Sequence, residues 1–163
     1  MGLNLTVEAQ RTDSLFLAAS VSKMKNAKLY ALEMAELMPQ NKYAFKPTSE
    51  ERSFGEQLLH IATSLQWFCS TYLNGSGNPA KIPDSTSNKD IIIKNLDQSY
   101  DYALITLQNF KTVHLSDTVS FDGVPMNKLQ IINLLSDHQT HHKGQLVVYL
   151  RLNGIKPPDY TGW

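Results

Sequence analysis

Apolar residues recur at helical spacing along four long stretches of this chain, and extended alternation is confined to one short piece. The first stretch runs from about Ser20 to Met38, with Met24, Ala27, Ala31, Met34, Ala35 and Met38 along one side. Pro39 stops it, because its ring cannot continue the backbone ladder. Residues 1–14 read as a frayed or short helical extension. The second helix is announced by Ser53-Phe54-Gly55-Glu56, a capping box in which Ser53 and Glu56 satisfy the first free backbone donors. It is expected to end near Leu73, before the break Asn74-Gly75-Ser76-Gly77-Asn78-Pro79, and to bury Phe54, Leu58, Ile61, Leu65, Phe68 and Tyr72.

The third helix is predicted from about Ser87, with Ser87-Asn88-Lys89-Asp90 as a second capping box, and Ile92, Ile93, Leu96, Tyr100, Ala103, Leu107 and Phe110 facing the core. Thr118-Val119-Ser120-Phe121-Asp122-Gly123 alternates like a strand and a turn, too short for a sheet and suited to capping one end of a bundle. The fourth helix is expected to open around Pro125, a good first-turn residue, and to run to about Leu152, where Asn153-Gly154 and Pro157-Pro158 end it. Gly144 lies inside that helix at a cost of about 1 kcal/mol against alanine, which points to another helix approaching closely there or to something bound, close packing being the first expectation.

The pattern therefore defines an all-α fold, a four-helix bundle with a short extended segment before the last helix. At 163 residues, with 42% hydrophobic residues, the chain reads as one domain spanning 1–163. The connection at 74–87 is long enough, at about 3.3 Å per residue, to cross a bundle of about 30 Å and join two parallel helices. Fifteen basic and fifteen acidic residues cancel, so the electrostatic footprint of a nucleic-acid binder is missing. Apolar runs such as Leu15 to Ala19 and Leu146 to Leu150 fall far short of the roughly 18 residues that span a bilayer, and no basic segment opens the chain as in a signal peptide. No nucleic-acid or membrane partner is expected, and the cytoplasm is the default. The single cysteine, Cys69, forbids an internal disulfide and reads as a small core residue rather than a nucleophile.

Chemistry is suggested by His138 and His142, four residues apart and so on the same helical face. Ile131, Leu134, Leu135, Gln145 and Tyr149 share their stripe, so the apolar seam runs into the two imidazoles and holds them partly buried. Two neutral imidazoles one turn apart can chelate a divalent cation, but such a site needs at least a third protein ligand. His114 lies in a polar connection beside Lys111 and Asp117 and reads as solvated. His141 is offset by about 60° from His138 and about 100° from His142, which makes it a spectator. His60 lies in a semi-polar strip with Gln57, Ser64 and Trp67. From the pattern alone it is either the third ligand, at the border of a cleft, or a flank histidine hydrogen-bonded to Gln57 or Ser64.

The segments Arg52-Ser53-Phe54-Gly55-Glu56-Gln57-Leu58-Leu59-His60-Ile61 and Asp137-His138-Gln139-Thr140-His141-His142-Lys143-Gly144-Gln145-Leu146, followed by Tyr149 to Pro158, resemble the DinB family of DNA-damage-inducible-type metalloenzymes. The resemblance extends from the first helix to the C-terminus, with Lys143 where many relatives have arginine. It implies an up-down-down-up bundle in which one histidine from the second helix and two from the last bind a divalent metal. Carried over by motif, these are His60, His138 and His142. Imidazole suits zinc, nickel, iron and copper; the expectation is zinc or nickel, then iron or manganese.

The resemblance also implies thiol chemistry on a small-molecule substrate, as in bacillithiol S-transferases and mycothiol-dependent maleylpyruvate isomerase, together with a homodimer and a stress-response setting. A metal-dependent hydrolase is the alternative reaction class. A non-catalytic helical module that binds or dimerises through anchors such as Trp67 and Trp163, its metal structural or absent, is the alternative outside enzymes. Glu56, Gln145 and Tyr149 are candidate helpers of the histidines, each with a plainer role: Glu56 in its capping box, the other two filling the seam. No catalytic residue is assigned.

Overall fold

The computed structural model describes residues 2–75, 77, 79, 81–83 and 86–162, the side chains of 2–7 excepted. Helices α1 (Gly2–Leu37), α2 (Phe54–Tyr72), α3 (Lys89–Asn109) and α4 (Lys128–Leu152) form the bundle, and strands β1 (Thr118–Phe121) and β2 (Val124–Asn127) form an antiparallel ribbon before α4.

The helix directions follow from pairs of residues in contact. Lys28 of α1 bridges to Asp97 (2.7 Å) and Asp101 of α3, whereas Lys89, at the start of α3, reaches Glu36 (3.3 Å) near the end of α1. Those helices are antiparallel. Gly55 lies against Ile92 and Gln66 donates to Ser99 (2.8 Å), so α2 and α3 run parallel. Gln57 meets Gln145 while Phe68 meets His138, which makes α2 and α4 antiparallel. Met24 touches Gln139, and Tyr30 lies beside Val147 and Arg151, so α1 and α4 are parallel. The order is up-down-down-up, with the crossover between α2 and α3 that the connection length permits.

The core is the apolar stripe of each helix. Met24, Ala27, Ala31, Met34 and Ala35 are buried on α1 and Met38 just past its end, Phe54, Leu58, Ile61, Leu65 and Phe68 on α2, and Ile92, Leu96, Tyr100, Ala103 and Leu107 on α3. Ile93, Tyr72 and Phe110 pack at its edge. Gly55 is required by close approach: a Cβ there would stand 2.9 Å from Ile92 Cδ1 and 3.3 Å from the Tyr43 carbonyl, which accepts the Gly55 N–H at 2.9 Å. Tyr43 itself is fully buried and donates its hydroxyl to the Ala35 carbonyl at 2.7 Å, pinning the α1–α2 connection onto both helices.

Four sequence expectations change. The first helix begins at Gly2 rather than near Ser20. No proline interrupts residues 2–20, and residues such as Glu8, Ala9, Gln10 and Arg11 let the ladder propagate backward from Leu17 and Ser20, the first buried positions from residue 8 onward. The cap of α3 is Asn88, not Ser87: Asn88 accepts the Ile91 N–H at 3.0 Å, while the Ser87 carbonyl accepts from Gln40. Pro125 lies in β2 rather than opening α4, and its partner across the ribbon is Ser120. α4 instead starts with an unanticipated capping box, in which Asn127 and Gln130 exchange bonds of 2.9 Å. The Thr118 segment does form a small sheet, because Asp122 (φ 47°) and Gly123 (φ 81°) turn the chain back on itself.

Candidate metal centre

The N-terminal half of α2 and the middle of α4 face each other across the bundle, and their crossing brings His60, His138 and His142 together. Each offers a ring nitrogen, and the three nitrogens lie within 4.8 Å of one another. Ring centroids are 5.0 Å apart for His60 and His138, 4.4 Å for His60 and His142, and 4.5 Å for His138 and His142. His114 and His141 stay outside: His114 is half-buried and pairs with Asp117 at 2.9 Å, and His141 is exposed with its ring edge-on to His142.

Glutamines anchor His142. Its Nδ1 lies 3.0 Å from Oε1 of Gln57 and 3.0 Å from Oε1 of Gln145, and Gln57 Nε2 donates to Gln145 Oε1 at 3.0 Å. Two facing carbonyl oxygens require a proton on Nδ1, which leaves Nε2 with its lone pair free, the tautomer a metal needs. The sequence pattern makes Gln145 a continuation of the histidine stripe and puts Gln57 in the strip of His60. The structure joins Gln57 to His142 instead, and no local signal carries a contact between residues 85 positions apart. Tyr149 donates its hydroxyl to the Arg52 carbonyl at 2.8 Å, tying the entry of α2 to α4. Glu56 is occupied by its capping box, accepting the Ser53 N–H at 2.6 Å, and by Lys46 at 3.4 Å.

Burial sets the protonation state. It pushes the His60 and His142 imidazoles down to about 4, with Arg52 and the neighbouring histidines adding to the effect and the Gln145 hydrogen bond opposing it at His142. Burial, then His141 and Arg52, lowers His138 as well. At neutral pH all three are uncharged and able to donate lone pairs. His138 Nδ1 is buried without a hydrogen-bond partner among the described residues. A buried ring nitrogen that none of the described residues answers, within a cluster of neutral imidazoles, fits a bound cation.

His60 opens onto a cleft of about 720 Å³ whose walls include Lys46, Glu51, Arg52, Glu56 and Gln66. On the other side, Phe68 separates His138 from the ribbon: its ring centroid is 5.9 Å from His138 and 5.8 Å from Phe121, onto which it stacks. Trp67, 42% exposed, leans on Phe68, Tyr72 and Phe121, while Trp163 lies outside the described residues. Cys69 is buried, and burial pushes its thiol up to about 12, so it contributes no thiolate at neutral pH. Gly144 does not mark close packing as its position suggested. A Cβ there would meet nothing within 4 Å, because that side of α4 faces a cavity.

Comparison with known proteins agrees with this architecture. The sequence model of the DinB family matches residues 13–163, and the chain belongs to that family. It is 27% identical over 124 residues to the uncharacterized protein YjoA of Bacillus subtilis (strain 168), covering 75% of this chain and 80% of that one. The fold is similar to a crystal structure of a DinB-like protein from Bacillus cereus ATCC 10987, with a TM-score of 0.75 and 20% identity over 87% of this chain and 95% of that chain. It is also similar to the crystal structure of the B. subtilis DinB-like protein YjoA, with a TM-score of 0.73 and 23% identity over 89% and 99% of the two chains. Among the described residues no helix is long and apolar enough to cross a membrane.

Proposed function

We propose that this protein is a metal-dependent enzyme in which His60, His138 and His142 hold one divalent cation and the adjoining cleft admits a small thiol for an S-transfer reaction. The observation that carries the reading is the convergence of three neutral imidazoles beside an open cleft. Three protein ligands leave coordination positions for water and substrate, whereas a structural site is closed by four. A cation held by neutral ligands keeps its full charge, and the chemistry it supplies is to favour the anionic form of a thiol at neutral pH.

The chain's own residues have definite parts. Gln57 and Gln145 hold the His142 ring in one tautomer and orientation. Lys46 and Arg52 against Glu51 and Glu56 give the cleft both signs of charge, which suits a small zwitterionic molecule. The chain's single cysteine is buried, so the reacting sulfur has to arrive with the substrate. Zinc or nickel fits the donor set best.

The test is elemental analysis of the purified, tag-free protein beside His60→Ala and His142→Ala, followed by thiol-transfer assays on the loaded protein. About one divalent metal per chain in the parent, lost in both variants, with turnover of a thiol substrate, supports the reading. Failure to bind zinc, nickel, iron or manganese after reconstitution overturns it. Metal binding accompanied only by ester or amide hydrolysis replaces the thiol reaction and keeps the centre.

A further inference from the structure

The stripe of α4 that carries His138, His142, Gln145 and Tyr149 faces α2. The stripe displaced by two residues, Thr140, Gly144, Val147 and Arg151, is about 200° around the helix and looks the other way. There it forms one wall of a cavity of about 610 Å³, closed by Tyr30 of α1 and by the C-terminal segment from Lys156 to Tyr160. The volume is in the range of small-molecule sites, which is about 300–1,000 Å³.

Three features of the cavity point to one kind of ligand. Its cations are Lys143, Arg151 and Lys156 against the single carboxylate of Asp159, and no salt bridge joins Asp159 to any of them. Lys143 is only 6% exposed and has neither an ion pair nor a hydrogen bond among the described residues, and its charged neighbour Lys23 is another cation. The Lys143 stem is buried while its ammonium lines the cavity beside a like charge, an arrangement that a bound anion relieves. The opposite wall is apolar: Tyr30 and Tyr160 meet edge to face at 5.8 Å beside Pro157 and Pro158. Gly144 supplies the space between, since its missing side chain leaves the floor of the cavity open where a Cβ would touch none of the described residues.

We propose that this cavity, on the face of α4 opposite the histidines, is a second binding site that takes a small organic anion with a flat apolar body, an aromatic carboxylate or phosphate ester. The anionic group lies toward Lys143 and Arg151, and the ring lies against the tyrosines and prolines.

The test is calorimetric titration of the full chain with naphthoate, naphthyl phosphate and the neutral naphthamide, with a chelator present so that no cation at the histidines captures the anion. One saturable site for naphthoate or naphthyl phosphate is expected, with naphthamide at least about tenfold weaker. The stronger anion of the two tells carboxylate from phosphate recognition. Gly144→Leu, which fills the floor with a good helix former, is expected to weaken the anion at least about tenfold. Arg151→Gln, at an exposed position that leaves the core intact, is expected to weaken the anion more than the amide. Saturable binding of neither anion, or equal anion affinity in the parent and Gly144→Leu, overturns the proposal.

Discussion

Oε1 of Gln57 on α2 lies 3.0 Å from Nδ1 of His142 on α4, and this contact orients the imidazole from the opposite helix. Carbonyl partners of this kind hold a ligating histidine in place and raise its basicity, and their loss typically weakens metal binding about 10–100-fold. Gln57→Leu, which keeps the volume and removes the acceptor, is expected to weaken zinc or nickel binding by about tenfold, Gln145 retaining part of the effect. Competition against a chromophoric chelator reads this directly. An affinity equal to the parent's means that the glutamine merely packs.

The depressed imidazoles link stability to pH in the metal-free protein. His60 and His142 titrate at about 4 in the folded chain against 6.5 for the ordinary group, so between those values the unfolded chain binds more protons than the folded one. Their contribution is complete above about pH 6.5, declines as pH falls, and is gone below about pH 4. Urea midpoints of the chelator-treated parent and of His60→Gln, followed from about pH 7.5 to 4, are expected to converge as the parent loses its advantage. Parallel curves across that window count against a buried, neutral His60.

Gly144 costs the helix stability without serving its packing. Gly144→Ala is expected to raise stability by about 0.5–1 kcal/mol, since the added methyl meets nothing within 4 Å and the helical backbone gains propensity. A thermal or urea melt showing a loss instead reveals a neighbour that closes on this position.

Asn88, rather than Ser87, caps α3. Asn88→Ala is expected to cost about 1 kcal/mol, while Ser87→Ala changes stability by no more than a few tenths, because only the first removes the acceptor of the Ile91 N–H. Comparable losses in the two urea melts contradict that division.

Much of the bundle was legible because helices announce themselves locally. The 3.6-residue stripes on α1, α2 and α3 are the residues found buried, except Tyr72, Ile93 and Phe110 at the edge, and the Ser53–Glu56 capping box forms as the spacing predicts. The shared face of His138 and His142 follows from one helical turn. Two of the misreadings arose where two local devices competed. Pro125 suits a helix start or the edge of a ribbon, and the turn at Asp122-Gly123 decided for the ribbon. Ser87 and Asn88 both make good caps, and only the path of the chain past Gln40 selects between them.

The sequence by itself determined which residues face inward on each helix and which polar groups share a face, since both depend on spacings of three or four residues. Tertiary structure alone decided that Gln57 serves His142 rather than His60 and that the space beside Gly144 is open, and it brought His60 to the pair on α4, which the family resemblance implied and the residue pattern left open. Helical periodicity sets the direction of a side chain about its own axis. Which neighbour it meets depends on how the helices are rotated and offset against one another, and that is fixed by the packing of the whole core.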